Sequence, residues 1–158
     1  MRANGWMFWA CFAGKVKGPS IVWQKEWGKI TAEAYQARIC PLIKTFWQAN
    51  WQFKIQQDNA PAHSAKSTQT WFRDNLPSAH LVNWPPHSPD LNPIEHIWIW
   101  MKRWITRNYA VRPTGKRLYA AVEAVWIAVL EEYLLKLVHS MPRRLQAVIA
   151  AKGGYSGY

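Results

Sequence analysis

Trp84-Pro85-Pro86-His87-Ser88-Pro89-Asp90-Leu91-Asn92-Pro93-Ile94-Glu95-His96 is the stretch from which the rest of the chain is best read. Its four prolines each hold φ near about −65°, which makes a stiff loop. Asn92 suits an N-cap, and Pro93 falls at the first helical position, where a missing N–H costs nothing. Glu95 therefore belongs to the first turn of a helix and is presented from a rigid platform. Ile94, Ile97, Trp98, Met101, Trp104 and Ile105 recur at helical spacing and predict a helix from Pro93 to near Asn108. His96, Lys102, Arg103 and Arg107 fall on its other face.

Just upstream, Trp51, Phe53 and Ile55 alternate with Gln52, Lys54 and Gln56, which predicts a strand over 51–57. Asp58-Asn59-Ala60-Pro61 ends it as a turn. Ser64 is expected to cap a helix running to near Asn75, with Trp71 and Phe72 inward. Pro77-Ser78 turns, and His80 to Trp84 reads as a second short strand. Strand, helix and strand make a βαβ unit whose two strands are parallel neighbours. Asp58 and the loop that launches Glu95 would then leave the same edge of one sheet.

Outside this unit, residues 6–13 and 19–24 form a predicted hairpin joined by Gly14-Lys15-Val16-Lys17-Gly18. Residues 31–49 have a helical pattern with Thr31 as cap and Glu33 in the first turn, and Pro41 should kink or divide that helix. After Arg112-Pro113-Thr114-Gly115, Leu118, Val122, Val125, Trp126 and Val129 predict a helix that continues through Leu134, Leu137 and Val138. Ser140-Met141-Pro142 is expected to start a separate short helix, Arg143 to Lys152, closed by Gly153-Gly154. These elements predict one α/β domain over 1–158, a mixed sheet flanked by helices.

The formal charge is +11 and there are nine acids. None lies between Glu95 and Glu123, whereas Lys102, Arg103, Arg107, Arg112, Lys116 and Arg117 do. Such a balance favours a polyanionic partner, nucleic acid above all, over the plainer reading of a basic soluble protein. The 49% apolar content and twelve tryptophans exclude a disordered chain. Two cysteines, Cys11 and Cys40, build neither a disulfide framework nor a cysteine zinc site. Residues 6–13 resemble a signal peptide's apolar region less than they resemble a strand, because another apolar strand follows. The apolar run 118–138 carries Glu123, Glu131 and Glu132 at amphipathic spacing and is not a membrane span.

Asp58 at a strand end and Glu95 in the first turn of a helix leaving the adjacent strand could face one cleft. Carboxylate oxygens are what a hard cation such as Mg²⁺ takes, and metal ions so held act on in-line phosphoryl displacement. The alternatives are local: an Asx turn for Asp58, and the far half of a capping box for Glu95. Asp90 reads as a turn residue supporting the loop. His63 and His96 lie near the acids and are candidates for orienting a phosphate or water, against a purely structural role.

With these motifs in view, Gln57-Asp58-Asn59-Ala60-Pro61-Ala62-His63 together with residues 84–98 closely resembles the catalytic domain of Tc1/mariner-type DDE transposases, fungal Tc1-like elements in particular. Phe8-Trp9-Ala10-Cys11-Phe12 and Lys17-Gly18-Pro19 are similar to the family's hairpin. Ser140-Met141-Pro142-Arg143-Arg144-Leu145-Gln146-Ala147-Val148-Ile149, Gly153-Gly154 and Tyr158 are similar to its C-terminus. The resemblance implies an RNase H-like fold and a triad of acids binding Mg²⁺ or Mn²⁺, of which Asp58 would be the second and Glu95 the third. It implies metal-dependent DNA cleavage at element ends followed by strand transfer into target DNA, in the nucleus. His63, His96, Lys102, Arg103 and Arg107 are the candidate nucleic-acid contacts.

One departure is large. The family's first catalytic Asp stands on a strand before the hairpin, and no Asp precedes Asp58 here. The chain thus reads as partial at its N-terminus, with the first sheet strand missing and little activity expected of it alone. An open sheet edge would also favour homodimers or aggregation. The competing readings are a non-catalytic DNA-binding module and an inert transposon remnant.

Overall fold

The computed structural model describes residues 2–3, 6–77, 79, 81–86 and 88–154. The expected turn at Ser78, the start of the second strand at His80 and the terminal Tyr158 fall outside them.

Three antiparallel strands lie in the order β1 (Arg2–Ala3), β2 (Trp6–Ala13), β3 (Val16–Trp23). β2 and β3 form the predicted hairpin, paired from Met7↔Trp23 to Ala13↔Val16. Their register slips between Ala10 and Phe12, where Gly18 and Pro19 of β3 face the single residue Cys11 of β2, a bulge in β3. Gly18 within it packs against Cys11. A Cβ there would come within 2.5 Å of Cys11 Sγ and 2.9 Å of the Cys11 carbonyl oxygen, so the close approach requires glycine.

Both faces of the hairpin are covered, which is why these strands are apolar without a polar alternation. On one face, Phe8, Ala10 and Val22 pack on α5 (Pro93–Asn108), α6 (Gly115–Ala128) and α7 (Glu131–Ala150). The Phe8 ring meets Trp98 edge-on at 5.6 Å between centroids. On the other, Met7, Trp9, Ile21 and Trp23 pack on α1 (Ala32–Arg38), α2 (Cys40–Ala49) and α4 (Lys66–Asn75), through Tyr35, Ile39, Cys40, Ile43, Phe72 and Leu76. Each fully buried side chain of this size contributes roughly 1.5–3 kcal/mol relative to exposure. The result is helices, sheet, helices: the mixed α/β class expected.

α5 spans the predicted residues, with Ile97, Trp98, Met101 and Ile105 buried. α1 and α2 divide at Ile39, one residue before Cys40-Pro41, as Pro41 predicts. Thr31 caps α1 by accepting from the Ala34 N–H at 3.2 Å.

Five expectations are corrected. The strand over 51–57 shrinks to Ile55, which forms a parallel bridge with Leu81. Residues 50–53 instead wind up the end of α2: Asn50 N–H donates to Trp47 O, Phe53 N–H to Asn50 O, and Trp47 Nε1 to Phe53 O. Those groups are spent on a turn and leave Trp51 72% exposed. The second strand likewise narrows to Leu81 among the described residues. Ser64 does not cap α4; it ends α3 (Pro61–Ser64), with its hydroxyl donating back to Ala60 O, and Ala65 holds the N-cap position. The helix after Gly115 stops at Ala128, where Lys17 Nζ donates to Val129 O at 2.9 Å and to Ile127 O. A lysine from the hairpin thus satisfies carbonyls that would otherwise continue the helix. Finally, α7 runs unbroken through Pro142, although a proline there has no N–H to donate.

Candidate active site

The parallel bridge at Ile55 and Leu81 organises the site. Val82 N–H donates to Ile55 O at 2.9 Å, so the two chain segments run side by side in the same direction. Asp58 lies three residues beyond Ile55 and Trp84 three beyond Leu81. A cleft of about 290 Å³ opens between them, lined by Gln57, Asp58, Asn59, His63, Gln69 and Trp84 among others.

Asp58 is held from two sides. Its Oδ1 accepts from the Ala60 N–H at 3.1 Å and from His63 Nδ1 at 2.6 Å. A carboxylate only accepts, so Nδ1 carries the proton. That hydrogen bond holds the Asp58 carboxyl below the usual range, against the opposing effect of burial. Among the described residues Oδ2 accepts no hydrogen bond. The Asx turn does form, and it engages only one oxygen. The carboxylate is 55% exposed and the imidazole 18%. His63 is wedged in place: its ring lies 4.5 Å from that of Tyr35, and its carbonyl accepts from Gln69 Nε2. Tyr35 is fully buried, which pushes its phenol up, and its hydroxyl donates to Gln57 Oε1.

Asn59 joins the Asp58 turn to the proline loop, donating from Nδ2 to Trp84 O at 2.8 Å. The loop then makes a single helical turn over Pro89–Leu91, where Asp90 Oδ1 accepts from Leu91 N–H in the supporting role expected of it. Asn92 holds the N-cap position of α5, without a side-chain cap bond. Its own N–H donates to Pro89 O, so the reciprocal capping box does not form. Glu95 N–H donates to Asn92 O at 3.1 Å, and among the described residues the Glu95 carboxylate accepts no hydrogen bond.

The other candidates separate. Lys102, Arg103 and Arg107 are exposed along α5. His96 turns inward: its Nε2 lies 2.6 Å from Arg144 Nη1, and its carbonyl is near the Tyr133 hydroxyl. Burial and the Arg144 guanidinium hold His96 below the usual imidazole range. Arg144 itself, Tyr35, Gln57 and Asn59 carry no standing as site residues in a reading by residue type. Gln57 and Asn59 are marked only by belonging to a motif, Arg144 only by the 140–149 motif, and Tyr35 only as an apolar position of its helix.

The donors suit a hard cation in kind, being carboxylate oxygens open to solvent. In number they are short: among the described residues no three of His, Cys, Asp and Glu cluster closely enough to hold a metal ion. The structure brings Asp58 and His63 together, and Glu95 is not in the lining of their cleft.

An antiparallel sheet covered by helices on both faces thus stands beside one parallel bridge, with the Asp58 turn following one of the bridged segments and the proline loop leading to Glu95 following the other. Residues 2–117 match the family model for the DDE superfamily endonuclease, and the chain belongs to that family. Within it the chain is of the Tc1/mariner transposase type. It is 36% identical over 152 residues to the Tcb1 transposase of Caenorhabditis briggsae and 34% identical over 153 residues to the Tc1 transposase of Caenorhabditis elegans. These alignments cover 93% and 96% of the chain but 52% and 54% of the relatives, so the chain spans about half the length of the curated relatives it matches. The fold is RNase H-like, as in the Mos1 transposase catalytic domain solved with raltegravir and magnesium. The TM-score is 0.80 at 18% identity, covering 98% of this chain and 80% of that one. A Mos1 paired-end complex with the left transposon end superimposes with a TM-score of 0.81 at 17% identity, over 98% of this chain and 47% of that one.

Proposed function

We propose that the domain supplies Asp58 and Glu95 to a Mg²⁺ or Mn²⁺ site that cleaves DNA at transposon ends and joins the freed 3′-hydroxyl to target DNA, in the nucleus. The observation that carries this reading is the isolated parallel Ile55–Leu81 bridge, from which both acid-bearing segments continue in the same direction. Mos1 structures solved with Mg and with Mn support the choice of cation. Mg²⁺ keeps several waters and is bound by one or two carboxylates plus substrate phosphates, so the two acids would need DNA phosphates to complete the site. Among the described residues, Asp58 Oδ2 and the Glu95 carboxylate accept no hydrogen bond and are the donors proposed for the cation. The bound cation would supply Lewis-acid stabilisation of the displaced and attacking oxygens.

The chain's own residues do the rest. His63 fixes the rotamer of Asp58 and leaves Oδ2 outward. Asn59 holds the Asp58 turn to the proline loop. Lys102, Arg103 and Arg107 give α5 a cationic exposed face for phosphates. The domain on its own holds too few clustered ligands for efficient chemistry, so its isolated activity is low. A homodimer on the DNA belongs to the same proposal.

Purified protein, labelled donor-end duplex and plasmid target with Mg²⁺ or Mn²⁺ provide the test. DNA binding with only background strand transfer is the expected result. Robust transfer that disappears in Glu95→Gln would uphold the site and overturn the low activity; robust transfer unaffected by Asp58→Asn and Glu95→Gln would overturn the site.

The basic face of α5 favours a second reading, a non-catalytic DNA-binding module. It predicts steeply salt-dependent binding that ignores both acid substitutions and shows no metal-induced stabilisation.

A further inference from the structure

Arg144 is 2% exposed, a charged side chain deep in the packing. It stands on α7, 48 residues from His96. Its Nε donates to Ser140 Oγ at 2.7 Å, and that hydroxyl in turn donates to Leu137 O at 2.6 Å. Its Nη1 donates to the main-chain oxygen of Asp90 at 2.9 Å and to His96 Nε2 at 2.6 Å. An arginine has no acceptor, so His96 Nε2 accepts and the imidazole is the neutral Nδ1–H tautomer.

These partners are not scattered. Asp90 sits in the helical turn before Asn92, and His96 immediately follows Glu95. One guanidinium therefore grips the chain on both sides of the α5 N-terminus, from a helix outside the lining of the Asp58 cleft. A flexible loop would let Glu95 wander; a planar fork fixed by Ser140 at one end does not. Burying this charge is costly and is tolerated where its hydrogen bonds are made.

We propose that Arg144 is the positioning residue for Glu95: it sets the direction in which the first turn of α5 leaves the proline loop, and hence where the carboxylate meets a divalent cation. This rests on the reading of Glu95 as a metal ligand. Substituting Arg144 leaves every carboxylate in place, so a lost affinity would come from geometry alone. Supporting residues around metal ligands typically change affinity by about 10–100-fold.

Mn²⁺ alone is the probe, titrated into the full chain and followed by electron paramagnetic resonance. Arg144→Lys keeps the charge and loses the fork; His96→Ala removes one of the two gripped sites and serves if Arg144→Lys does not fold. Val125→Ala, a core change on α6, controls for general destabilisation. Mn²⁺ affinity should fall at least about tenfold in Arg144→Lys and in His96→Ala, with the Glu95 amide resonance displaced in metal-free spectra, while Val125→Ala leaves both unchanged. Unchanged affinity and an unmoved Glu95 resonance in a folded Arg144→Lys would overturn the inference. If Glu95→Gln weakens Mn²⁺ and Arg144→Lys does not, the ligand reading stands and the positioning role falls. If Glu95→Gln has no effect, both fall together.

Discussion

Asn59 Nδ2 donates to Trp84 O at 2.8 Å, tying the turn that carries Asp58 to the loop that leads to Glu95. The two motifs are therefore one mechanical unit. A partly exposed hydrogen bond of this kind contributes about 0.5–1.5 kcal/mol net. Asn59→Ala should lower stability by about that amount, and speed amide exchange at Leu91 and Asn92 while leaving Met101 in the core protected. Equal exchange throughout would mean the loop is held without Asn59.

Gly18, in the β3 bulge, lies against Cys11 with no room for a methyl group. Phe46 closes the remaining side, 2.9 Å from where a Cβ would stand. Gly18→Ala should cost about 1–3 kcal/mol in urea unfolding, the usual range for forced overpacking. A loss within experimental error would show that the bulge yields easily.

Leu134 is fully buried between α7 and the other helices on its face of the sheet. Leu134→Ala should cost about 2–5 kcal/mol. Both cores rest on the same two strands, so probes in either should melt at one midpoint in the parent protein. A broad melt with separate midpoints for the two cores would favour the inert-remnant reading.

Glu33 lies in the first turn of α1, where its own backbone N–H and then the Thr31 hydroxyl hold its carboxyl below the usual range. The folded value is below the unfolded one. Its contribution to stability is therefore present above the ordinary Glu range and fades as pH falls through the folded value. Nuclear magnetic resonance titration of the Glu33 side chain should show the depressed value, moving up toward the ordinary one in Thr31→Ala. An ordinary value in the parent protein would contradict this cap geometry.

Local signals served the sequence reading well. The bounds of α5 follow from Asn92, Pro93 and a run of helical spacings, and the division of α1 from α2 follows from Pro41. The parallel pairing of Ile55 with Leu81 follows from strand order alone. What stayed illegible is non-local. Nothing near Val129 announces that Lys17 ends α6, and nothing near Asp90 announces Arg144. Trp51 and Phe53 alternate like a strand, yet their backbone groups go to the end of α2, because a turn closed by Asn50 competes with the ladder. At the site, residue type singled out Asp58 and Glu95 as candidates, but not that His63 would take one Asp58 oxygen or that His96 would turn away toward α7.

The central claim is that Asp58 and Glu95 hold the same divalent cation. Mn²⁺ affinity measured by electron paramagnetic resonance in the parent chain, Asp58→Asn, Glu95→Gln and the double variant tests it most directly. Each single substitution should weaken binding by about tenfold or more, and the double variant should lose little beyond the worse single, as for two ligands of one ion. Affinity unchanged by either substitution would contradict it.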